Sequence, residues 1–171
     1  MNISNFLTLI RFLLIPIFIE TFYMGSNYIL PFSIFILAGI TDVLDGFFAR
    51  KYNLITKWGK LLDPLADKVL QISVLFVLTD KKIIPLWIII IVIIIEFFLI
   101  IGSGIIYKNK IIVQAKWHGK FSTVLFYTSI ILIMFVDNHL GMYAISLAVV
   151  TALYSALRYT MDYLKVMRKQ V

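Results

Sequence analysis

Asp42, Asp45, Asp63 and Asp67 are four of only nine acidic residues in the chain, and they fall within one stretch of twenty-six residues. They stand in or beside apolar runs, where an ionised carboxylate is costly to bury unless a cation compensates it. Four together call for a bound metal, most naturally a pair of divalent ions. An all-oxygen donor set selects hard cations, which favours Mg²⁺ or Mn²⁺ and leaves Ca²⁺ open. Two such ions side by side form a clamp for displacement at phosphorus. Gly46 and Gly59 offer bare backbone where a bulky ligand can approach. Arg50 carries a permanent, forked cation suited to phosphate oxygens. A lone aspartate in an apolar helix is as readily a packing or ion-pathway residue, but two same-face pairs flanked by glycines are not explained that way.

To act together these residues must be held by helices. Asp42 and Asp45 are three apart, and Asp63 and Asp67 four apart, so each pair shares one helical face. Two antiparallel helices bring all four to one depth. Composition says what kind of helices these are. Of 171 residues, 61% are hydrophobic and 15% charged, with a mean hydropathy of +0.97. Soluble domains are closer to half apolar and a quarter charged, so the reading is an integral membrane protein. At about 20 residues per span, the length fits a single all-α domain, 1–171, of six transmembrane helices. The spans are expected at about 5–23, 30–48, 61–79, 83–107, 119–136 and 140–164. Pro16 is placed to kink the first, and Asp63-Pro64 suits the first turn of the third. The opening residues lack a basic region, so no cleavable signal peptide is expected. The absence of cysteine excludes disulfides and thiolate metal sites.

Orientation follows from the basic residues. With six spans, fourteen of the sixteen Lys and Arg fall on one side, and only Lys81 and Lys82 on the other. The positive-inside rule makes the rich side cytoplasmic, together with both termini and the four aspartates. The net charge of +7 is then read as cytoplasmic loops facing anionic lipid, with no nucleic acid as partner. The expected location is the cytoplasmic membrane, multi-pass, with the site open to the cytoplasm.

The string Asp-x2-Asp-Gly-x2-Ala-Arg-x8-Gly-x3-Asp-x3-Asp is filled by Asp42, Asp45, Gly46, Ala49, Arg50, Gly59, Asp63 and Asp67. It resembles the signature of the CDP-alcohol phosphotransferases at all eight positions. The opening Asn2-x2-Asn5-x-Leu7-Thr8-x2-Arg11, the run Leu62 to Lys68, and Gly119-Lys120-x2-Thr123 are similar to the bacterial phosphatidylglycerophosphate synthases in that family. The resemblance implies a two-metal enzyme of phospholipid biosynthesis, and implies a homodimer. CDP-diacylglycerol would lie with its tails among membrane lipid and its diphosphate at the metals. Asp42, Asp45 and Asp63 match metal ligands. Asp67 matches the general base that takes the proton from an acceptor hydroxyl, and also touches metal. Gly46, Arg50 and Gly59 match positions around the nucleotide and its phosphates. Attack at the phosphorus bearing the lipid then expels CMP.

The acceptor is a separate question. Glycerol 3-phosphate needs cations near the site, for which Lys116, Lys120, Arg158 and Arg11 are the candidates. Arg11 reads equally as a counter-ion inside the acidic cluster, and the lysines equally as markers of the interface. Glu96, deep in the fourth span, coincides with a glutamate of the synthases, but the arginine usual before it is Ile95 here. The Gly-Leu-Arg that usually follows is replaced around Gly102-Ser103-Gly104-Ile105. The resemblance therefore favours glycerol 3-phosphate and keeps phosphatidylglycerol, the acceptor of the related cardiolipin synthases, as the alternative. His118 and His139 lack a second ligand at metal spacing. The three Trp and many Tyr fit an interfacial belt.

Two other classes fit less well. Intramembrane prenyltransferases use paired aspartate motifs and Mg²⁺ on a lipid diphosphate, but need more helices and lack the Gly-x2-Ala-Arg element. A small cation transporter would carry acids to mid-membrane on several helices, where this chain has Glu96 alone.

Overall fold

The computed structural model describes residues 3–25, 27–51, 59–108 and 117–168, and within them the side chains of 6–25, 27–47, 51, 62–63, 65–99, 119 and 121–161. The described residues form six α-helices and no strand: α1 (Ile3–Met24), α2 (Ile29–Lys51), α3 (Gly59–Asp80), α4 (Leu86–Lys108), α5 (Trp117–Phe135) and α6 (Asn138–Arg168). Each begins and ends within a few residues of its expected span. One start differs in substance. α3 begins at Gly59, so Pro64 lies in its second turn, where it removes the bond that residue 64 would donate to the Lys60 carbonyl. α1 runs on through Pro16.

Among the described residues three stretches are long and apolar enough to cross a membrane: Phe6–Met24, Ile29–Phe47 and Asn138–Met161. Among the described residues α4 and α5 contribute shorter apolar runs, Leu86–Leu99 and Phe121–Phe135. The exposed surface of these helices is rich in large apolar side chains, Leu13, Val43, Phe97, Phe98 and Leu157 among them. Such a surface suits lipid rather than water.

The chain divides into two compact units, 1–82 and 83–171. In the first, α1 packs against both α2 and α3. Its buried positions are Thr8, Arg11, Ile15, Phe18 and Phe22, alternating three and four apart as one seam of a helix must. Pro31, Phe35, Ala38, Thr41 and Asp45 form the matching seam of α2. Phe22 meets Tyr28 at 5.4 Å between ring centroids, and Phe18 meets Phe35 at 6.4 Å. Further along, Arg11 meets Asp42 and Thr8 meets Asp45. Numbers fall on α1 as they rise on α2, so the pair is antiparallel. α3 runs the other way: Thr8 reaches Asp63 and Tyr23 reaches Asp80, so it lies parallel to α1.

The turn after α3 is closed by Lys82, which donates to the Thr79 carbonyl and takes a φ of 58°. That is the left-handed conformation common after a helix end, here without glycine. In the second unit, α6 packs against α5 and α4. The Asp137 carboxylate accepts from the Leu140 amide at 2.9 Å and caps α6. Gly141 lets the α5–α6 hairpin close, because a Cβ there would lie 2.7 Å from the Ile133 backbone nitrogen.

Candidate active site at the polar end of the first three helices

The seam between α1 and α2 changes character along its length. Phenylalanines fill one stretch, and the last two turns hold Thr8, Arg11, Thr41 and Asp45. Arg11 is fully buried, and Asp45 is 2% exposed. A guanidinium and a carboxylate are tolerated there because their opposite charges offset part of the cost of burial. Arg11 Nη2 lies 2.9 Å from Asp42 Oδ1 and 3.7 Å from Asp45 Oδ2. The counter-ion reading of Arg11 describes this arrangement. Its Nε and Nη1 find no hydrogen-bond acceptor among the described residues, so the guanidinium has donors to spare for an anion.

α3 brings the second acidic pair to the same end. Asp63 meets Asp45 through Thr8, whose Oγ1 lies within hydrogen-bond range of a carboxylate oxygen of each, and Asp67 follows one turn on along α3. α2 and α3 are antiparallel, so with Asp45 and Asp63 joined through Thr8, Asp42 and Asp67 lie on the same side of that junction, one turn back on α2 and one turn on along α3. Asp42 is 45% exposed while Asp45 is almost sealed, so the cluster runs from an open rim to a closed floor.

Thr8 joins the floor together. Its Oγ1 lies 3.2 Å from Asp45 Oδ2 and 2.5 Å from Asp63 Oδ1. Sequence reasoning carried Thr8 only as part of the amino-terminal motif and assigned it no role. A signal was present all the same: it stands three residues before Arg11, on the same helical face, where an apolar seam residue would otherwise be expected.

The donor set suits a hard divalent ion. All four groups are carboxylates, and carboxylates gathered at one buried end call for compensating positive charge. Among the described residues, no three acidic or histidine side chains converge on one point. Asp42 and Asp45 turn to Arg11, and Asp45 and Asp63 to Thr8. Holding an ion at all four carboxylates would require those side chains to rotate, while the helix backbones already bring them together.

The remaining candidates lie as follows. Gly46 is half-buried on α2, one residue beyond Asp45. Gly59 is the first residue of α3. The side chains of Arg50 and Lys120, and the whole of Lys116, fall outside the described residues. Arg158 is exposed on α6, its Nε donating to Tyr154 Oη at 2.9 Å and its guanidinium 5.5 Å from that ring's centre. Glu96 is buried on α4. His139 is exposed near the start of α6, and the His118 side chain is outside the described residues.

A family model for CDP-alcohol phosphatidyltransferase matches residues 1–154. The chain belongs to that family. Among proteins similar to this family member is a CDP-diacylglycerol–glycerol-3-phosphate 3-phosphatidyltransferase of Rickettsia bellii, 48% identical over 83 residues, or 47% of this chain and 46% of the relative. One of the same name from Haemophilus influenzae is 42% identical over 83 residues, 47% of this chain and 45% of the relative. That of Bacillus subtilis is 37% identical over 136 residues, 71% of this chain and 70% of the relative. The chain spans about half the length of the first two relatives and about two thirds of the third.

Proposed function

We propose that the chain transfers a phosphatidyl group from CDP-diacylglycerol to glycerol 3-phosphate, giving phosphatidylglycerophosphate and CMP. The observation that carries this reading is the junction at which Arg11 and Thr8 of α1 meet Asp42 and Asp45 of α2 and Asp63 of α3, with Asp67 one turn along α3. The signature's carboxylates thus lie toward one end of three helices. Family membership and the relatives' shared name support the choice of reaction and acceptor.

In this reading Asp42, Asp45, Asp63 and Asp67 hold two divalent ions, Mg²⁺ or Mn²⁺. When bound, these supply positive charge to the diphosphate and to the departing CMP. Asp67 takes the proton of the acceptor hydroxyl as that oxygen bonds to the phosphorus bearing the lipid. The bond from that phosphorus to the CMP oxygen breaks, and CMP leaves with the electron pair. Asp67 lies one turn beyond Asp63 on α3 and is part-exposed, which leaves it open to an acceptor. Gly46, Arg50 and Gly59 flank the nucleotide and its phosphates. Arg11, whose Nε and Nη1 meet no acceptor among the described residues, is the cation that the first unit offers the acceptor phosphate; Lys116, Lys120 and Arg158 are the candidates that sequence adds.

We read the six helices as six spans of one domain, with both termini and the site on the cytoplasmic side of the cell membrane. The three long apolar stretches, the distribution of Lys and Arg, and a family model that runs through both units support this. A homodimer is the expected assembly.

The test is CMP release by purified protein given CDP-diacylglycerol, Mg²⁺ or Mn²⁺, and one acceptor at a time. Release with glycerol 3-phosphate is expected. Release with phosphatidylglycerol alone would move the assignment to the cardiolipin-forming branch, and no release with any alcohol would overturn the reaction.

A further inference from the structure

We propose that Thr8 is a positioning residue for this reaction, tying Asp45 on α2 to Asp63 on α3 so that the two acidic helix faces stay together where the divalent ion would be held. The inference rests on the reading of the four aspartates as a metal site. Most described hydroxyls in these helices are turned onto a carbonyl of their own helix: Thr21 on Ile17, Ser33 on Ile29, Thr41 on Ala38, Ser73 on Val69, Ser146 on Met142. That back-bonding is what a threonine does to satisfy itself in an apolar setting. Thr8 has a different use. It is 1% exposed, and its Oγ1 lies within hydrogen-bond range of carboxylates on two other helices, 37 and 55 residues away in the chain.

α1 is the element that packs against both α2 and α3, so a group on its seam is the natural tie between the two acidic faces. A hydroxyl suits that role better than a charge would. It donates one proton to a carboxylate oxygen and leaves the remaining lone pairs of that carboxylate directed elsewhere. It is also short and β-branched, so its χ1 is stiff in a helix and the oxygen is held in place. Groups that orient metal-binding side chains in this way typically change metal affinity by about 10- to 100-fold when removed. Arg11, one turn on, neutralises the same cluster without fixing its spacing, because its Nη2 contacts both α2 carboxylates.

The experiment compares Thr8→Val, which keeps the shape and loses the hydroxyl, with Thr8→Ser, which keeps the hydroxyl. Mn²⁺ binding to purified protein is read by electron paramagnetic resonance without substrate, and kcat and KM for CDP-diacylglycerol are measured separately. Thr8→Val is expected to weaken Mn²⁺ binding at least about 10-fold and to lower kcat more than it raises KM, with Thr8→Ser within about threefold of the unsubstituted protein on both readouts. Should Thr8→Val not fold, Thr8→Cys, a weak donor, is expected to fall between. Unchanged Mn²⁺ affinity in the Val or Cys variant overturns the proposal, as does an unsubstituted protein that binds no Mn²⁺. A protein that binds Mn²⁺ but releases no CMP with any acceptor overturns the reaction instead, and the affinity comparison at Thr8 still stands.

Discussion

Asp80 and Asp45 are the same residue at opposite ends of the same three helices, and they lead different lives. Asp80 is exposed at the end of α3, where it accepts a 2.7 Å hydrogen bond from Tyr23 Oη while the Lys81 ammonium lies 5.0 Å from the Tyr23 ring centre. Asp45 sits at the far end of the α1–α2 seam, almost fully covered, with Arg11 and Thr8 against it. At the first end water or lipid headgroups can replace any lost partner. At the second, Asp45 is sealed from water, so solvent does not replace a lost partner there. Burial, more than residue type, separates an ordinary surface tie from a cluster whose every member has to be accounted for.

Substitutions should reproduce that gradient. Asp67→Asn is expected to act most strongly, lowering CMP release by about 10²- to 10⁴-fold while the protein still inserts in membranes. Turnover near that of the unsubstituted protein would remove Asp67 as the base. Asp42→Ala and Asp63→Ala come next: the metal concentration giving half-maximal CMP release should rise, and an unchanged metal titration would count against both as ligands. Phe18→Ala opens a hole in the aromatic stretch between the two ends and should cost about 3–5 kcal/mol in detergent unfolding. The metal dependence of the protein that remains folded should not change. Arg11→Met leaves the α2 carboxylates without their cation and should destabilise by about 3 kcal/mol, less than a fully sealed pair because Asp42 is open to solvent. Added Mn²⁺ should recover part of that loss, and a variant that Mn²⁺ does not stabilise would separate Arg11 from the metal site. Tyr23→Phe, at the exposed end, should shift stability by no more than about 0.5 kcal/mol. A larger loss would mean that the two ends are less different than their burial indicates.

Much of this was readable beforehand because apolar runs and charges are local signals. Six helices follow from run lengths, and the pairing of Asp42 with Asp45 and of Asp63 with Asp67 follows from spacings of three and four. What sequence could not supply was which helix joins the acidic faces. It suggested a direct α2–α3 hairpin, whereas in the structure a hydroxyl and a guanidinium of α1 stand against both the apolar seam and the acids. Thr8 escaped notice because an uncharged hydroxyl in a helix is normally satisfied by its own backbone. The two readings of Arg11 could not be separated from sequence because burial and partner geometry distinguish them, and neither is local. Pro64 misled for a related reason: proline favours the first turn, but α3 carries it in the second at the loss of one backbone bond.

A ribosome delivers α1 before the aspartates. By the time Asp42 and Asp45 are made, a helix bearing Arg11 and Thr8 precedes them, and the same seam is complete before Asp63 and Asp67 follow. Chain order thus puts the partners ahead of the acids they hold, and a chain whose α1 lacks Arg11 should lose folded protein at synthesis before it loses any at turnover.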